Sequence, residues 1–228
     1  MAYQKISIVS PVFNESEVIE PFVSRLQSAL GKIESYQFKI ILVNDGSSDD
    51  SVEKIEKLKK MHPIELIHLA CNQGQQKAIL RGLESARGDA VIVMDSDLQD
   101  PPEYIHSLIS AWEKGADVVM AQRKTRQDSV LKKLSARAYY FLLHVIDSQM
   151  AIDCGDFYLL DKRVVAQIIT ADIKQPYLRG EVARFAKNRA FVSVDRESRV
   201  GGHGNYTLGK MLSLAIAGIR FAMRKDEK

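Results

Sequence analysis

Through its first 120 residues the chain alternates short β-branched runs with amphipathic stretches, and this alternation limits the possible folds more than any other feature. Residues 5–10 (KISIVS), 38–43 (FKIILV), 64–69, 90–94 (AVIVM) and 118–121 read as strands. Helical periodicity fills the intervals over 17–30, 50–61, 75–86 and 101–112. Strands and helices in strict alternation imply βαβ crossovers and a mostly parallel sheet covered on both faces. Near-continuous apolar runs such as AVIVM agree, because strands of such sheets are buried on both sides. The predicted class is α/β, with a Rossmann-like, mostly parallel central sheet. Ligands of such sheets bind beyond the carboxyl ends of the strands, so the residues after each strand carry the functional reading.

After residue 121 the alternation weakens. A helix is predicted over 129–146, strands over 157–160 and 190–194, a glycine-rich loop over 200–206 and a last helix over 208–223. With no internal repeat and no Pro/Ser linker, the expected organisation is one domain over 1–200 followed by a loop and a helix over 201–228.

Of the 228 residues, 46% are hydrophobic and 27% charged, which excludes a disordered or collagen-like chain. The two cysteines, Cys71 and Cys154, stand in no CxxC pairing and read as reduced thiols of a cytosolic protein. The net charge of +3 hides an asymmetry: residues 1–119 carry 12 Lys+Arg against 18 Asp+Glu, and residues 120–228 carry 20 against 11. An acidic half before a basic half suggests a cation site upstream and an anionic partner downstream. The first residues lack the layout of a signal peptide. The longest apolar candidate, 211–219, is nine residues, against the ~20 needed to span a bilayer. The expectation is a chain that does not cross a membrane by itself.

The strand ending near Met94 delivers Asp95, Ser96, Asp97, Leu98, Gln99 and Asp100. In an extended chain Asp95 and Asp97 share a face. Two carboxylates ~6 Å apart repel by roughly 3 kcal/mol at an effective dielectric near 20, and a hard divalent cation with oxygen ligands offsets that repulsion. Asp100-Pro101-Pro102-Glu103 reads instead as a helix start, with Asp100 as N-cap. After the second strand, Asn44-Asp45-Gly46-Ser47-Ser48-Asp49 is explained at Gly46 and Asp49 by turn and cap chemistry. Spacing alone leaves Asp45 open between a turn and a nucleotide contact. Asn14 and Glu15, after the first strand, fit a helix cap and a helix N-terminus equally well. Neither G-x-x-x-x-G-K-[ST] nor a G-x-G-x-x-G after the first strand is present, which excludes P-loop and dinucleotide-fingerprint readings.

PVFNE, VNDGSSD, NQGQQKAILRGLESARGD and MDSDLQDPPE together resemble glycosyltransferase family 2, of the GT-A fold. Within it the chain is most similar to the polyprenyl-phosphate sugar transferases, of which dolichol-phosphate mannose synthase is the best known. The resemblance implies that Pro11, Phe13, Glu15 and Asp45 line the nucleotide base and ribose, and that Asp95, Ser96 and Asp97 face the donor diphosphate. It implies Mg²⁺ or Mn²⁺ as cofactor, held by Asp95, Asp97 and Gln99. Arg123 and Arg137 match arginines that face the acceptor phosphate, and Asp156 lies in Cys154-Gly155-Asp156-Phe157 beside the acceptor. Arg199 opens a loop, R-x-x-G-x-x-x-Y through Tyr206, that closes over the donor. Two features depart: Gly204-Asn205 replaces the family's more usual pair, and the hairpin that crosses the membrane in many members is missing.

The implied activity is inverting transfer of a sugar from a UDP- or GDP-linked donor to a polyprenyl phosphate at the cytoplasmic face of a membrane. The chain would be held there by peripheral contact or by a membrane-spanning partner. No nucleic-acid partner is expected, and a homo-oligomer is compatible. The acceptor phosphate is already anionic near neutral pH, so it needs positioning by guanidinium groups more than deprotonation. A hydroxyl acceptor would need a general base, for which Asp156 is the candidate; family 2 transfer to a glycan hydroxyl is the alternative activity. On residue pattern alone Arg123 and Arg137 also fit a solvated basic surface. The last helix, with Leu208, Met211, Leu212, Ala215, Ile216 and Ile219 at helical spacing, fits membrane contact and packing on the sheet equally.

Overall fold

The computed structural model describes residues 4–123, 154–171, 173 and 176–198. In chain order the elements are β1 (Gln4–Val12), α1 (Ile19–Leu30), β2 (Tyr36–Asn44), α2 (Ser51–Leu58), β3 (Ile64–His68), α3 (Gln75–Ser85), β4 (Ala90–Val93) and a 3-10 turn (Pro102–Tyr104). There follow α4 (Ile105–Glu113), β5 (Val118–Arg123), β6 (Cys154–Asp161), α5 (Lys162–Thr170), α6 (Leu178–Phe185) and β7 (Arg189–Val194). The predicted helices over 129–146 and 208–223 and the loop over 200–206 lie outside the described residues.

The strands form one sheet in the order β3-β2-β1-β4-β6-β5-β7. All pairings are parallel except those of β6, which runs antiparallel to both β4 and β5. The mostly parallel α/β sheet expected from the alternation is therefore present, with one reversed strand inserted near its centre.

Side-chain alternation along each strand builds two apolar layers. Ile6, Ile8, Ile92, Phe157 and Leu159 face α1, α2 and α4, whereas Val9, Val91, Val93, Tyr158 and Leu160 face α3, α5 and α6. Helix α1 buries Ile19, Phe22, Val23, Leu26, Ala29 and Leu30, the i, i+3, i+4, i+7 stripe of a surface helix. Gly82 brings α3 against the sheet: a Cβ there would stand 2.3 Å from Val9 Cγ1 and 3.1 Å from Val43 Cγ2. These stiff β-branched residues cannot step aside.

Helices α5 and α6 are additions to the sequence reading. Asp161 starts α5 by accepting the Arg163 N–H at 2.9 Å, and Val164, Val165 and Ile168 supply its buried face. A cap followed by that spacing was a visible signal. Among the described residues, no helix is long and apolar enough to cross a membrane.

Candidate active site

The loops after β1 and β2 interlock at the carboxyl end of the sheet. Asn14 sits at φ +53° and, rather than capping α1, reaches across to the second loop. Its N–H donates to Ser47 Oγ at 3.0 Å, and its side-chain oxygen accepts the Ser48 N–H at 2.8 Å. Glu15 N–H donates to Ser51 Oγ at 2.9 Å, and Ser16 N–H to Asp49 Oδ2 at 3.0 Å. Asp49 also accepts the Ser51 N–H, an Asx turn leading into α2 rather than a cap; the N-cap position is Asp50, whose side chain makes no cap hydrogen bond. Burial acts to raise the Asp49 carboxyl, but the hydrogen bonds from Ser51 and Ser16 leave it below its ordinary value. Pro11 and Phe13 are half-buried on this rim, and Glu15 is buried.

Asp45 is buried, and its two oxygens accept the backbone N–H groups of Gln73 at 2.7 Å and Gly74 at 2.9 Å. The turn residue thus fixes the loop that opens α3. Gly46, at φ +70°, has no room for a side chain, since a Cβ would lie 2.7 Å from the backbone of Cys71 and Asn72.

Strand β4 stops at Val93, so Asp95 follows outside the strand and Asp97 lies in a bend over 96–100, not in the extended chain expected from the sequence. Ser96 Oγ donates to the Pro11 carbonyl at 3.0 Å and pins the turn to the end of β1. Asp97 Oδ1 accepts the Gln99 N–H at 3.0 Å, and Leu98 between them adopts φ +60°. Strain of that kind in a non-glycine residue is characteristic of functional turns.

Asp100 corrects the cap reading. Its side chain makes no cap hydrogen bond to the helical turn that follows. Only 3% exposed, it faces Arg196 at 3.4 Å. Burial pushes its carboxyl up, against the opposing pull of Arg196 and Arg123. A guanidinium delivered from the far end of the chain outcompeted the local cap.

Asp95 and Asp156 lie on the side of α3 and α6, whose Gln75 and Arg179 reach them. Gln75 Nε2 donates to Asp95 Oδ1 at 2.7 Å and to Asp156 Oδ2 at 3.2 Å. Asp156, 2% exposed, also receives Arg179 Nε at 2.9 Å, Arg179 Nη2 at 3.1 Å and Gln76 Nε2 at 3.4 Å. Burial first, then the charges of Asp156, Asp97 and Asp100, hold the Asp95 carboxyl well above the usual carboxylate range. Arg123, at the end of β5, places Nη2 over Gly155, where a Cβ would approach to 3.2 Å. This turns Arg123 towards the acidic turn rather than leaving it on a solvated surface.

A strap from β7 closes the turn's outer side. Glu197 N–H donates to the Gln99 carbonyl at 2.9 Å, and Asp195 N–H to Tyr104 Oη at 3.2 Å. Arg25 donates to both Glu103 and Glu197 at 2.8 to 3.0 Å. Gln75, Gln76, Arg179 and Arg196 are site residues that sequence reasoning missed; only Gln75 and Gln76 stood inside a recognised motif. Arg137 and Arg199 lie outside the described residues, as does the loop that follows Arg199.

No three His, Cys, Asp or Glu side chains converge as a metal centre among the described residues. The all-oxygen donors of Asp95, Asp97 and Gln99 nonetheless suit a hard dication. Asp100 Oδ2, buried and without a hydrogen-bond partner among the described residues, and the raised Asp95 carboxyl mark surplus negative charge that such an ion would cancel.

Comparison with known proteins gives a consistent result. An uncharacterised glycosyltransferase, YkcC of Bacillus subtilis, is 37% identical over 225 residues, covering 97% of this chain and 69% of that protein. The prophage bactoprenol glucosyl transferase homolog of Escherichia coli is 34% identical over 218 residues, covering 94% of this chain and 71% of its own length. Glucosyl-3-phosphoglycerate synthase from Mycobacterium tuberculosis, solved with Mn²⁺, UDP and glucosyl-3-phosphoglycerate, superposes with a TM-score of 0.67 at 18% identity, covering 97% of this chain and 79% of that one. Staphylococcus aureus TarS, solved with UDP, gives 0.58 at 18% identity, and there the chain spans 84% of itself but only 59% of TarS. These neighbours share the GT-A architecture of the sheet described above. Residues 7–169 match the profile of glycosyl transferase family 2, and the chain belongs to that family.

Proposed function

We propose that this chain transfers a sugar, with inversion, from a UDP- or GDP-linked donor to a polyprenyl phosphate at the cytoplasmic face of a membrane. One observation carries the choice of acceptor. Asp156, the residue a hydroxyl acceptor would need as general base, already accepts from Arg179, Gln75 and Gln76. A carboxylate so engaged is poorly placed to take a proton, whereas a phosphate acceptor is already anionic and needs none taken. The relatives named bactoprenol glucosyl transferase, at 34–35% identity, support the same acceptor class.

Pro11, Phe13, Glu15 and Asp45 form the base and ribose side of the donor pocket. Asp95, Ser96 and Asp97 face the diphosphate. Asp95, Asp97 and Gln99 are the residues to hold Mg²⁺ or Mn²⁺, which when bound supplies Lewis-acid stabilisation of the nucleoside-diphosphate leaving group. Arg123 and Arg137 position the acceptor phosphate, a task for which planar guanidinium forks suit better than lysines. Residues 1–200 form the catalytic domain, and Arg199 with the segment 200–206 contacts the donor, as the family resemblance of R-x-x-G-x-x-x-Y implies. The segment 208–223, with its apolar residues at helical spacing, provides peripheral membrane contact or meets a membrane-spanning partner.

A panel of UDP- and GDP-sugars, incubated with undecaprenyl phosphate with and without Mn²⁺ or Mg²⁺, tests this reading through nucleoside diphosphate release. Release that requires both the lipid phosphate and the metal is expected. Release with a soluble glycan and none with the lipid would place the activity on a hydroxyl instead.

A further inference from the structure

Asp95 and Asp156 belong to different segments, yet the sheet forces them together. β4 and β6 are antiparallel with Val93 opposite Tyr158, and just past the end of that pairing one amide group, Gln75 Nε2, reaches both Asp95 and Asp156. Two like charges held this close repel each other. Among the described residues, Gln75 is the side chain that donates to both carboxylates, at 2.7 and 3.2 Å.

We propose that Gln75 is a positioning residue: its one NH₂ group, donating to both Asp95 and Asp156, fixes their separation and leaves Asp95 Oδ2 oriented for the donor and its cation. An amide nitrogen carries two hydrogens, matching the two acceptors. The reverse amide orientation would aim a carbonyl oxygen at two carboxylates. Gln75 is itself placed from below. It is the first residue of α3, and Gly74 precedes it at φ +92°. The N–H groups of Gln73 and Gly74 are held by Asp45. The acidic residue after β2 thereby sets the acidic residue after β4 through one loop and one side chain. Asparagine at 75 would fall a methylene short of the pair, and glutamate would add a third negative charge.

The inference rests on the cation reading proposed above, and Mn²⁺ uptake by the full chain separates the two. Free Mn²⁺ is followed by electron paramagnetic resonance in titrations of wild type, Gln75→Met, Asp156→Asn and the double variant, with thermal unfolding of each alongside. Methionine keeps the length and removes both donors. Gln75→Met is expected to bind Mn²⁺ roughly three- to tenfold more weakly, the range of about one net hydrogen bond, while unfolding near the wild-type temperature. On the Asp156→Asn background, where Asp95 no longer faces a like charge, the same change is expected to cost less than half as much on a logarithmic scale. Gln75→Asn provides the same comparison if the methionine variant does not fold. Unchanged Mn²⁺ affinity in Gln75→Met, or an equal loss on both backgrounds, would overturn the role of Gln75 and leave the cation site standing. Failure of wild type to take up Mn²⁺ would overturn the cation reading and this inference together.

Discussion

Arg179 grips Asp156 with two parallel N–H···O contacts, Nε to Oδ1 at 2.9 Å and Nη2 to Oδ2 at 3.1 Å. The pair joins α6 to the start of β6, with the carboxylate almost completely buried and the guanidinium mostly so. A paired, multiply hydrogen-bonded carboxylate of this kind ties the two elements together. It is badly suited to accept a substrate proton, and this is why the acceptor is read as a phosphate.

Removing one partner of that pair leaves a buried charge without its counter-ion. Arg179→Met is expected to destabilise the chain by about 3 kcal/mol, measured by urea unfolding. Adding Asp156→Asn to it should restore at least half of the loss, because the two residues are directly coupled. In turnover, Asp156→Asn is expected to lose less than Asp97→Ala.

Gly46 tests the link between the second strand and α3. Alanine there must adopt φ +70° and meet the backbone of Cys71 and Asn72 at 2.7 Å. The loop it would displace carries the N–H groups that Asp45 holds. Gly46→Ala is expected to cost about 1–3 kcal/mol by overpacking and backbone strain, and to raise KM for the donor. Thermal unfolding and steady-state kinetics check the two effects.

Gly155 gives a finer probe of Arg123. A Cβ at 3.2 Å from Nη2 requires the guanidinium to yield by only a few tenths of an ångström. Gly155→Ala is therefore expected to fold normally and to raise KM for the lipid phosphate more than for the donor sugar. Arg123→Lys should mimic it, since a point charge does not reproduce a planar fork.

The strap after β7 makes stability depend on acid. Hydrogen bonding from Arg25 holds the Glu197 carboxyl below its ordinary value of 4.5. A depressed folded-state value contributes stability above the unfolded-state value and loses it as pH falls through the folded one. Thermal unfolding between pH 7 and pH 3 should therefore show a drop beginning near pH 4.5. The drop should be smaller in Arg25→Met, which has no strap ion pair left to lose.

Local pattern made part of this molecule legible. The β-branched runs located the strands, and the runs of carboxylates located the loops that meet at their carboxyl ends. Relations carried by distant segments were not legible. Asp100 in D-P-P-E has every local attribute of an N-cap, but Arg196 takes it into the interior. Asp95 and Asp97 look like neighbours on a strand, but β4 ends two residues too early. Arg179 carried no motif at all, and only the packing of α6 beside α5 brings it to Asp156. The insertion of β6 between β4 and β5, which makes Asp95 face Asp156, has no counterpart in a one-dimensional pattern.

The linkage in the purified product is the most direct test of the proposed activity. After incubation with donor, metal and undecaprenyl phosphate, phosphorus-31 and proton NMR should show a phosphodiester whose sugar has the anomeric configuration opposite to that of the donor, and mild acid should release that sugar. A product stable to mild acid, with the sugar on a hydroxyl oxygen, would contradict it.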